Sequence, residues 1–392
     1  MGLRPSYKQT EVGVIPSDWR VATIKELASI KTGKRNTEDR VDDGAYPFFV
    51  RSQIVERINS YSFDGEAVLT AGDGVGTGKV FHYIQGRFDF HQRVYRISDF
   101  SPELSGFFFF LYFSNHFYDR IMSMTAKSSV DSVRLEMIAD MAIPLPSPLE
   151  QRAIAGALGD VEALIGTADR LIAKKHDLKQ AAMQQLLTGQ VRLPGFSGKR
   201  EVKRLGEIAQ IVSGGTPRTS VPALWDGGVK WCTPTDITGT AGKYLSDTER
   251  TISQAGLASC SAQLLPAGSL LLCSRATIGE LKIAACELCT NQGFKSLIAE
   301  KGVNNEFLYY LLLTMKPQMV ERAIGSTFLE ISKKGTASLE VSLPLLNEQT
   351  AIAAVLSDMD AELAALEQRL AKTRDLKQGM KQELLTGRTR LV

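Results

Sequence analysis

The chain has 392 residues, of which 44% are hydrophobic and 23% are charged, and its formal net charge is +3. This length is enough for two or three domains, and the longest apolar runs, such as 107–113, fall well short of the ~20 residues that a membrane span needs. The small positive charge argues against a chain that holds a DNA duplex unaided, because neutralisation of phosphates supplies most of the affinity for DNA.

Residues 1–147 are predicted to form a globular domain of mixed α/β type. The segment TIKELASIKTG, from Thr23 to Gly33, predicts an amphipathic helix that runs into a short polar loop. Further along, β-branched and aromatic residues alternate with Gly, Pro and Asp turns, which favours a substantial sheet. The N-terminus has no apolar signal region, so we expect a cytoplasmic protein.

A glycine-rich loop, AGDGVGTGKV from Ala71 to Val80, invites comparison with nucleotide-binding loops. A P-loop needs Gly where Asp73 stands and Ser or Thr where Val80 stands, and neither Gly72 nor Gly74 begins a dinucleotide-binding fingerprint. We interpret the loop as a surface turn, with backbone contact to a phosphate or base as the alternative. Because no spacing elsewhere singles out a catalytic pair, a non-catalytic chain is expected.

A long helix is predicted over residues 148–193, after the proline-rich turn IPLPSPLEQ. Apolar residues recur at alternating four- and three-residue steps, which is the pattern of a coiled-coil seam: Ile154, Leu158, Val161, Ile165, Ala168 and Ile172. The seam becomes polar at Lys175 and Lys179, where Leu178 is expected to take over the burial. The helix is predicted to end at LLTG, because Gly189 can take the left-handed conformation of a helix end.

The order is then repeated, with a second globular segment over 194–346 and a second helix over 347–392. A constant offset of 198 aligns Glu150 to Leu193 with Glu348 to Leu391 without a gap, and 21 of these 44 positions are identical. The second seam turns polar at Thr373 and Lys377, with Leu376 expected to be buried and Gly387 expected to end the helix. Its apolar members are Ile352, Leu356, Met359, Leu363, Leu366 and Leu370.

The two globular segments are related more faintly. RLGEIAQIVSG (Arg204 to Gly214) corresponds to TIKELASIKTG, and TNQGFKSLI (Thr290 to Ile298) corresponds to FHQRVYRI (Phe90 to Ile97). We therefore predict a mixed α/β (α+β) fold with a pseudo-two-fold internal repeat, in which two globular domains are separated by two long antiparallel coiled-coil helices. Trp19, Trp225 and Trp231 are expected in the cores.

The five cysteines do not indicate a disulfide framework or a metal site. All lie in the second half of the chain, and Cys286 and Cys289 form a single CxxC. A structural zinc site usually needs a second such pair or a nearby histidine pair, so no metal is expected.

The ordered combination of several motifs closely resembles the DNA-specificity subunit of type I restriction-modification systems. These motifs are the opening YKQTEVGVIPSDWRVATIKELA, the loops KTGKR and SGGTPR, and the twin phrases ending in LLTG. The resemblance covers nearly the whole chain. It implies two target-recognition domains, 1–147 and 194–346, which each read one half of a split, asymmetric DNA site, and two conserved spacer helices, 148–193 and 347–392.

The same resemblance implies the partners and cofactors. Double-stranded DNA and two modification (methyltransferase) subunits are expected partners, together with restriction subunits. S-adenosylmethionine would then bind the modification subunit, and ATP and Mg would bind the restriction subunit, so that this chain has no cofactor and does no chemistry. A solitary specificity-like decoy and a coiled-coil scaffold without DNA recognition are the alternatives.

Candidate DNA-reading residues lie in corresponding loops of the two domains, because Arg and Lys read guanine while Asn and Gln read adenine. In the first domain they are Lys31, Lys34, Arg35, Arg51, Ser52, Gly72, Asp73, Gly74, Lys79, His91, Gln92, Arg93, Lys127 and Ser128. In the second they are Thr216, Arg218, Thr233, Asp236, Ser274, Arg275, Asn291, Gln292, Lys333 and Lys334, with Ser326 and Thr327 aligned to Lys127 and Ser128. As the alternative, the cations are simply solvated and the Asn-Gln pair caps a turn.

The helix beginnings and the LLTG ends are expected to dock the modification subunits. The residues assigned to this interface are Ile154, Leu158, Leu186, Leu187, Ile352, Leu356, Leu384 and Leu385. Replacement of Leu186 and Leu384 by Asp is expected to abolish assembly while the domains stay folded.

Overall fold

The computed structural model describes residues 6–124, 132–325 and 329–392. It divides into two compact units, of which unit 1 comprises Met1–Ala168 and Arg369–Val392 and unit 2 comprises Asp169–Gln368. Each unit therefore contains part of both long helices. The predicted domain boundaries at 147, 193 and 346 stay a prediction. In the described ranges, no helix is both long enough and apolar enough to cross a membrane.

Unit 1 is built around a mixed sheet of six strands in the order β4-β9-β7-β8-β5-β6, with β1-β2 and β3-β10 as separate antiparallel pairs. The elements are β1 (Tyr7–Thr10), β2 (Gly13–Pro16), β3 (Arg20–Thr23), α1 (Ile24–Leu27), β4 (Ser29–Thr32), β5 (Tyr46–Phe49), β6 (Glu56–Ile58), β7 (Phe63–Ala71), β8 (Phe81–Phe90), β9 (Val94–Ser98), α2 (Gly106–Ser123), α3 (Leu135–Ala139), β10 (Ala142–Leu145) and α4 (Pro148–Thr188), which continues into unit 2.

The core of unit 1 lies between this sheet and the aromatic helix α2. Ser105 caps the start of helix α2, because its side chain accepts a hydrogen bond from the Phe108 backbone N–H. Its phenylalanines pack with Val68 of β7 and Ile97 of β9, and with Leu384 at the end of the last helix. Trp19 is 1% exposed in the same core, as predicted.

Unit 2 has a five-stranded sheet in the order β12-β19-β16-β17-β14, a three-stranded sheet β15-β13-β18 and the pair β11-β20. Its elements are β11 (Glu201–Arg204), α5 (Leu205–Ile208), β12 (Ala209–Ser213), β13 (Trp225–Cys232), α6 (Pro234–Gly239), β14 (Tyr244–Leu245), β15 (Arg250–Ile252), α7 (Gln254–Ala258), β16 (Leu270–Leu272), β17 (Leu281–Ala284), β18 (Cys289–Thr290), β19 (Lys295–Ala299), α8 (Asn305–Thr314), α9 (Lys316–Glu321), α10 (Lys333–Ala337), β20 (Glu340–Leu343) and α11 (Leu346–Leu384), which continues into unit 1. Trp225 and Trp231 are buried, as predicted, and pack edge to face.

The strand registers confirm the internal repeat of a mixed α/β fold. Ile30 of β4 pairs with Ile97 of β9, and Ile211 of β12 pairs with Leu297 of β19 in the same antiparallel manner. One expectation was wrong in detail, because the segments predicted as amphipathic helices form a single helical turn, α1 or α5, followed at once by a strand. The β-branched residues in ASIK and AQIVS favour this extended backbone.

The long helices end as predicted, since Gly189 and Gly387 have φ angles of 79° and 70°. Within each unit the two helical segments are antiparallel. In unit 2, Lys175 pairs with Glu362 at 2.7 Å and Lys179 pairs with Asp360, and in unit 1 Lys377 pairs with Glu162.

The expectation that Leu178 and Leu376 replace the lysines in the seam was wrong. Leu178 is 47% exposed and Leu376 is 59% exposed. The side chains of Lys179 and Lys377 are only 20% and 22% exposed instead. A lysine can bury its methylene stem in a seam and still place its ammonium group on an acid of the facing helix.

A buried Glu-Gln pair anchors the beginning of each long helix. Glu150 is fully buried and accepts hydrogen bonds from Trp19 Nε1 at 3.0 Å and Arg390 Nη2 at 2.8 Å. Glu348 is buried in the same way in unit 2, where Arg200 Nη2 donates to it at 2.9 Å and Arg192 also pairs with it. Arg192 and Arg390 are related by the offset of 198.

Candidate nucleic-acid interface

The same three backbone segments meet at one junction in each unit. In unit 1 the Gly72 N–H donates to the Arg93 carbonyl at 2.8 Å, and the Val133 N–H donates to the Gly72 carbonyl at 2.7 Å. In unit 2 the equivalent bonds run from the Ser274 N–H to the Gly293 carbonyl at 2.7 Å and from the Ile331 N–H to the Ser274 carbonyl at 3.1 Å. Residues far apart in sequence are thus fixed side by side.

A glycine brings a fourth segment against each junction. A Cβ on Gly33 would lie 2.0 Å from the Phe90 carbonyl oxygen, and a Cβ on Gly214 would lie 2.1 Å from the Asn291 carbonyl oxygen. Only glycine permits this approach at either position. The loop KTGKR therefore contacts the loop that precedes β9, and the loop SGGTPR contacts the loop that precedes β19.

In unit 1 the junction carries an acid between two arginines. Asp73 follows β7 and accepts hydrogen bonds from Arg51 Nη1 at 2.9 Å and from Arg93 Nη1 at 2.6 Å. The Asp73 side chain is 15% exposed, whereas those of Arg51 and Arg93 are 44% and 61% exposed. Beside it lies a cleft of about 360 Å³, lined by Thr32, Gly72, Asp73, Gln92, Arg93, Tyr95, Ser132 and Val133.

Unit 2 carries the opposite arrangement of charge at the same place. Arg275 occupies the position of Asp73, and its Nε donates to Glu330 Oε2 at 2.7 Å. Lys295 Nζ donates to the other carboxylate oxygen, Glu330 Oε1, at 3.0 Å. The side chain of Lys295 is 8% exposed and that of Arg275 is 44% exposed, so the arginine is the cation that faces solvent.

Both junction carboxylates are held in the charged form. Burial alone would raise the pKa of Asp73, but hydrogen bonds from Arg51 and Arg93 outweigh it and lower the pKa below its ordinary value. Burial likewise opposes the lowering of the pKa of Glu330, and the bonds from Arg275 and Lys295 again prevail.

Several other predicted residues of unit 1 have structural partners. Arg35 Nε donates to the buried Asp89 at 3.3 Å, and Gln92 Nε2 donates to Asn36 Oδ1 at 2.5 Å. His91 Nδ1 accepts a bond from the Arg93 backbone N–H at 3.0 Å, which ties it to the junction.

The remaining predicted residues of unit 1 have no side-chain contact with Asp73, Arg51 or Arg93 among those described, apart from Gly74, which follows Asp73 in the chain. Lys31 and Lys34 are exposed, and the Lys79 ammonium lies 5.6 Å from the centre of the Tyr118 ring. The Ser52 carbonyl is bonded to His82 Nε2 at 3.0 Å, and Gly74 has a φ of 78°. The predicted residues Lys127 and Ser128 lie outside the described residues.

In unit 2, Thr233 and Asp236 form a helix cap, since Asp236 Oδ2 accepts bonds from both the Thr233 N–H and its hydroxyl at 2.7 Å. Asn291 Oδ1 accepts a hydrogen bond from the Gly293 N–H at 2.8 Å, so Asn291 caps a turn, in agreement with the alternative prediction for this residue. Gln292 is exposed.

Thr216 is hydrogen-bonded to Gln292. The Arg218 carbonyl accepts a bond from Trp225 Nε1 at 3.1 Å, while its side chain is exposed. Lys333 and Lys334 are exposed at the start of α10, and Ser326 and Thr327 lie outside the described residues.

Sequence reasoning missed Glu330, Lys295 and Ser132 at the junction. Extending the offset of 198 backwards from the helices carries Ser132 onto Glu330 and β10 onto β20, so a longer alignment relates these two positions to each other but does not show what either residue contacts. Among the described residues, no group of three or more His, Cys, Asp or Glu is placed to hold a metal ion.

The eight residues predicted to contact partner subunits are all buried inside the units. Ile154, Leu158, Leu384 and Leu385 belong to the core of unit 1, and Leu186, Leu187, Ile352 and Leu356 belong to that of unit 2. Their assignment to an interface stays a prediction. The expectation that Asp at positions 186 and 384 leaves the domains folded is corrected, because it would place a charge in each core.

Comparison with known proteins gives consistent matches over the whole chain. The family model of the type I restriction modification DNA specificity domain matches residues 16–174 and 198–373. The type I restriction enzyme MjaIX specificity subunit of Methanocaldococcus jannaschii is 38% identical over 162 residues, which span 41% of this chain and 38% of that protein. The MjaVIII specificity subunit of the same organism is 24% identical over an alignment of 417 positions, gaps included, that covers 98% of this chain and 96% of that protein. The crystal structure of the S subunit of a type I restriction-modification system from M. genitalium is similar in fold, with a TM-score of 0.63, 17% identity and coverage of 97% of this chain and 99% of that one.

Proposed function

Because this chain belongs to the family of type I restriction-modification DNA specificity subunits, we propose that it reads a bipartite, asymmetric DNA site and recruits two adenine methyltransferase subunits to it. The observation that carries this proposal is the repeated junction, which has one backbone framework and two different layouts of charge. A shared framework with different side chains is what two different half-sites require.

The chain is proposed to do no chemistry of its own. S-adenosylmethionine would be bound by the modification subunit, and ATP and Mg by a restriction subunit, in a cytoplasmic complex. The net charge of only +3 supports shared binding of DNA, because partners that enclose the duplex supply further cations.

Exposed leucines on α4 support the docking of partners on that helix. Leu164, Leu171 and Leu178 are 50%, 41% and 47% exposed and follow one another at intervals of seven residues, which places them on one helical face. The aligned positions on α11 are Glu362, Arg369 and Leu376. An apolar row of this kind is typical of a surface that packs against another helix.

The proposal is tested by co-expression of the chain with a type I methyltransferase (modification) subunit from the same genome. The two proteins should co-purify, and the complex should bind DNA that carries the bipartite site more tightly than random DNA at the same salt concentration. A folded variant with Leu171→Asp and Leu178→Asp should lose the partner. Co-purification without any preference among DNA sequences would favour the decoy, and the absence of both activities would favour the scaffold.

A further inference from the structure

In each unit the junction holds an acid that is bonded to at least one arginine more exposed than the acid itself. In unit 1 the covered acid is Asp73, and the exposed cations are Arg51 and Arg93. In unit 2 the partly covered acid is Glu330, and the exposed cation is Arg275. Groups that contact a ligand must be accessible, so a ligand at the junction would meet the guanidinium groups before the carboxylates.

The contacts leave donors available on each arginine. In the described structure Arg93 and Arg51 each contact Asp73 through Nη1, and Arg275 contacts Glu330 through Nε. A guanidinium has five N–H donors in a fixed plane, so one carboxylate contact fixes its orientation and leaves an edge for a second acceptor. The paired O6 and N7 acceptors of guanine match such an edge in the major groove.

The backbone is held in an uncommon conformation at the same point. Gly74 and Ala276, which follow Asp73 and Arg275, have φ angles of 78° and 55°. A non-glycine residue in the left-handed region is uncommon, because this backbone conformation costs conformational free energy. Ala276 keeps this conformation, which indicates that the surrounding fold fixes the position of Arg275.

We propose that Asp73 and Glu330 are positioning residues for base recognition, and that they orient Arg51 and Arg93 in unit 1 and Arg275 in unit 2 to donate to guanine. This inference rests on the proposed function. The junction of each unit would then read a G·C pair in one half-site. Each carboxylate would affect selectivity in that half-site only.

The test uses the complex of the full chain with its modification subunit, and measures methylation of a DNA library in which every position of the bipartite site is varied. Asp73→Asn keeps the size of the side chain and removes its charge. Selectivity for one G·C pair in one half should fall roughly tenfold or more, while the other half is read as before. Glu330→Gln should have the same effect on the other half.

Asp64→Asn is the matched control. Asp64 also accepts a hydrogen bond from an arginine, Arg87 Nε at 2.9 Å, but this pair lies at the other end of the β7-β8 hairpin from Asp73. Selectivity should be unchanged in this variant. The side chain of Arg93 is 61% exposed, so Arg93→Gln is not expected to disturb the fold. This variant should lower selectivity for the same G·C pair as Asp73→Asn does. It therefore tests the inference even if the Asp73→Asn chain folds poorly.

The possible outcomes distinguish failure of the proposed function from failure of the inference about Asp73 and Glu330. A wild-type complex that methylates no bipartite site would overturn the proposed function, and this inference with it. A wild-type complex that does so, combined with unchanged selectivity in both Asp73→Asn and Arg93→Gln, would overturn the inference alone. Relaxed selectivity spread over both halves would also overturn it, because a positioning residue of one unit acts on one half-site.

Discussion

At the scale of single residues, three histidines of unit 1 are kept uncharged by burial. The pKa values of His82, His91 and His116 are all lowered, chiefly because burial disfavours the charged imidazole. Unit 2 contains His176, whose side chain is 55% exposed. The three histidines of unit 1 therefore make the stability of that unit depend on pH.

Acidification from about pH 7.5 to 5.5 should destabilise unit 1 selectively. Below the ordinary histidine pKa of about 6.5, the histidines of the unfolded chain bind protons, whereas those of folded unit 1 stay neutral because their pKa values are lower. The unfolded state then binds more protons than the folded state, so the free energy of unfolding falls as pH falls. The slope is at most about 1.4 kcal/mol per pH unit for each histidine. Amide hydrogen exchange, corrected for its intrinsic pH dependence, should show reduced protection in α2 but not in α8. Equal loss in both helices would contradict the assignment.

Residue-scale prediction from sequence succeeded where a residue type has a single geometric use. Gly189 and Gly387 were predicted as helix ends because a left-handed residue after LLT is best supplied by glycine. Glu330 was missed, because nothing in a single acidic residue before ISKK shows that it meets Arg275 and Lys295, which lie 55 and 35 positions away. Long-range pairing of charges leaves no periodicity in the sequence.

At the scale of elements, the repeated EQ at the start of each long helix is explained by anchoring. Gln151 Nε2 donates to the Pro146 carbonyl at 2.9 Å, and Gln349 Nε2 donates to the Pro344 carbonyl at 2.8 Å. The neighbouring carboxylates, Glu150 and Glu348, receive arginines that follow an LLTG end. The duplicated phrase therefore encodes a contact that joins the start of one helix to the end of another within each unit.

Loss of the Arg390 side chain should destabilise unit 1 by about 3 kcal/mol or more, because Glu150 would stay buried without its cation. The matched control is Arg388→Ala at an exposed position two residues earlier, which should change the unfolding free energy by less than about 0.5 kcal/mol. Hydrogen exchange in α2 measures both. Equal protection in Arg390→Ala and Arg388→Ala would show that the ion pair contributes nothing.

The seam of α4 predicts a second pair of matched variants. Leu186→Asp should destabilise unit 2 by more than about 3 kcal/mol, because Leu186 is 6% exposed in its core. Leu178→Asp should leave unit 2 folded, since that side chain is 47% exposed. Denaturant titration of the full chain measures the difference. Similar midpoints for the two variants would contradict the observed burial.

The seam also shows where pattern recognition fails at this scale. Ile352 and Leu356 were predicted because apolar residues at four- and three-residue steps mark one helical face, and both are fully buried. Lys179 and Lys377 broke the pattern and were replaced in the prediction by neighbouring leucines. Their burial depends on Asp360 and Glu162 of the facing helix, which periodicity within one helix does not reveal.

At the scale of the whole molecule, the duplication predicts modular recognition. Exchange of residues 20–147 for the equivalent segment of another family member should change one half of the recognised sequence and leave the other half intact. This follows because each unit has its own junction, with side chains drawn from its own segments. The measurement is the methylation motif of the exchanged chain beside the parent. Simultaneous change of both halves would show that the two recognition functions are not separable.

DNA recognition by this chain is tested most simply by single-molecule methylome sequencing of a host that expresses the chain with a type I modification subunit from the same genome, beside a host that expresses the modification subunit alone. A specificity subunit should add a new bipartite motif with methyladenine on both strands, present only when the chain is expressed. A stable complex with an active modification subunit that adds no such motif would contradict the claim that this chain reads DNA.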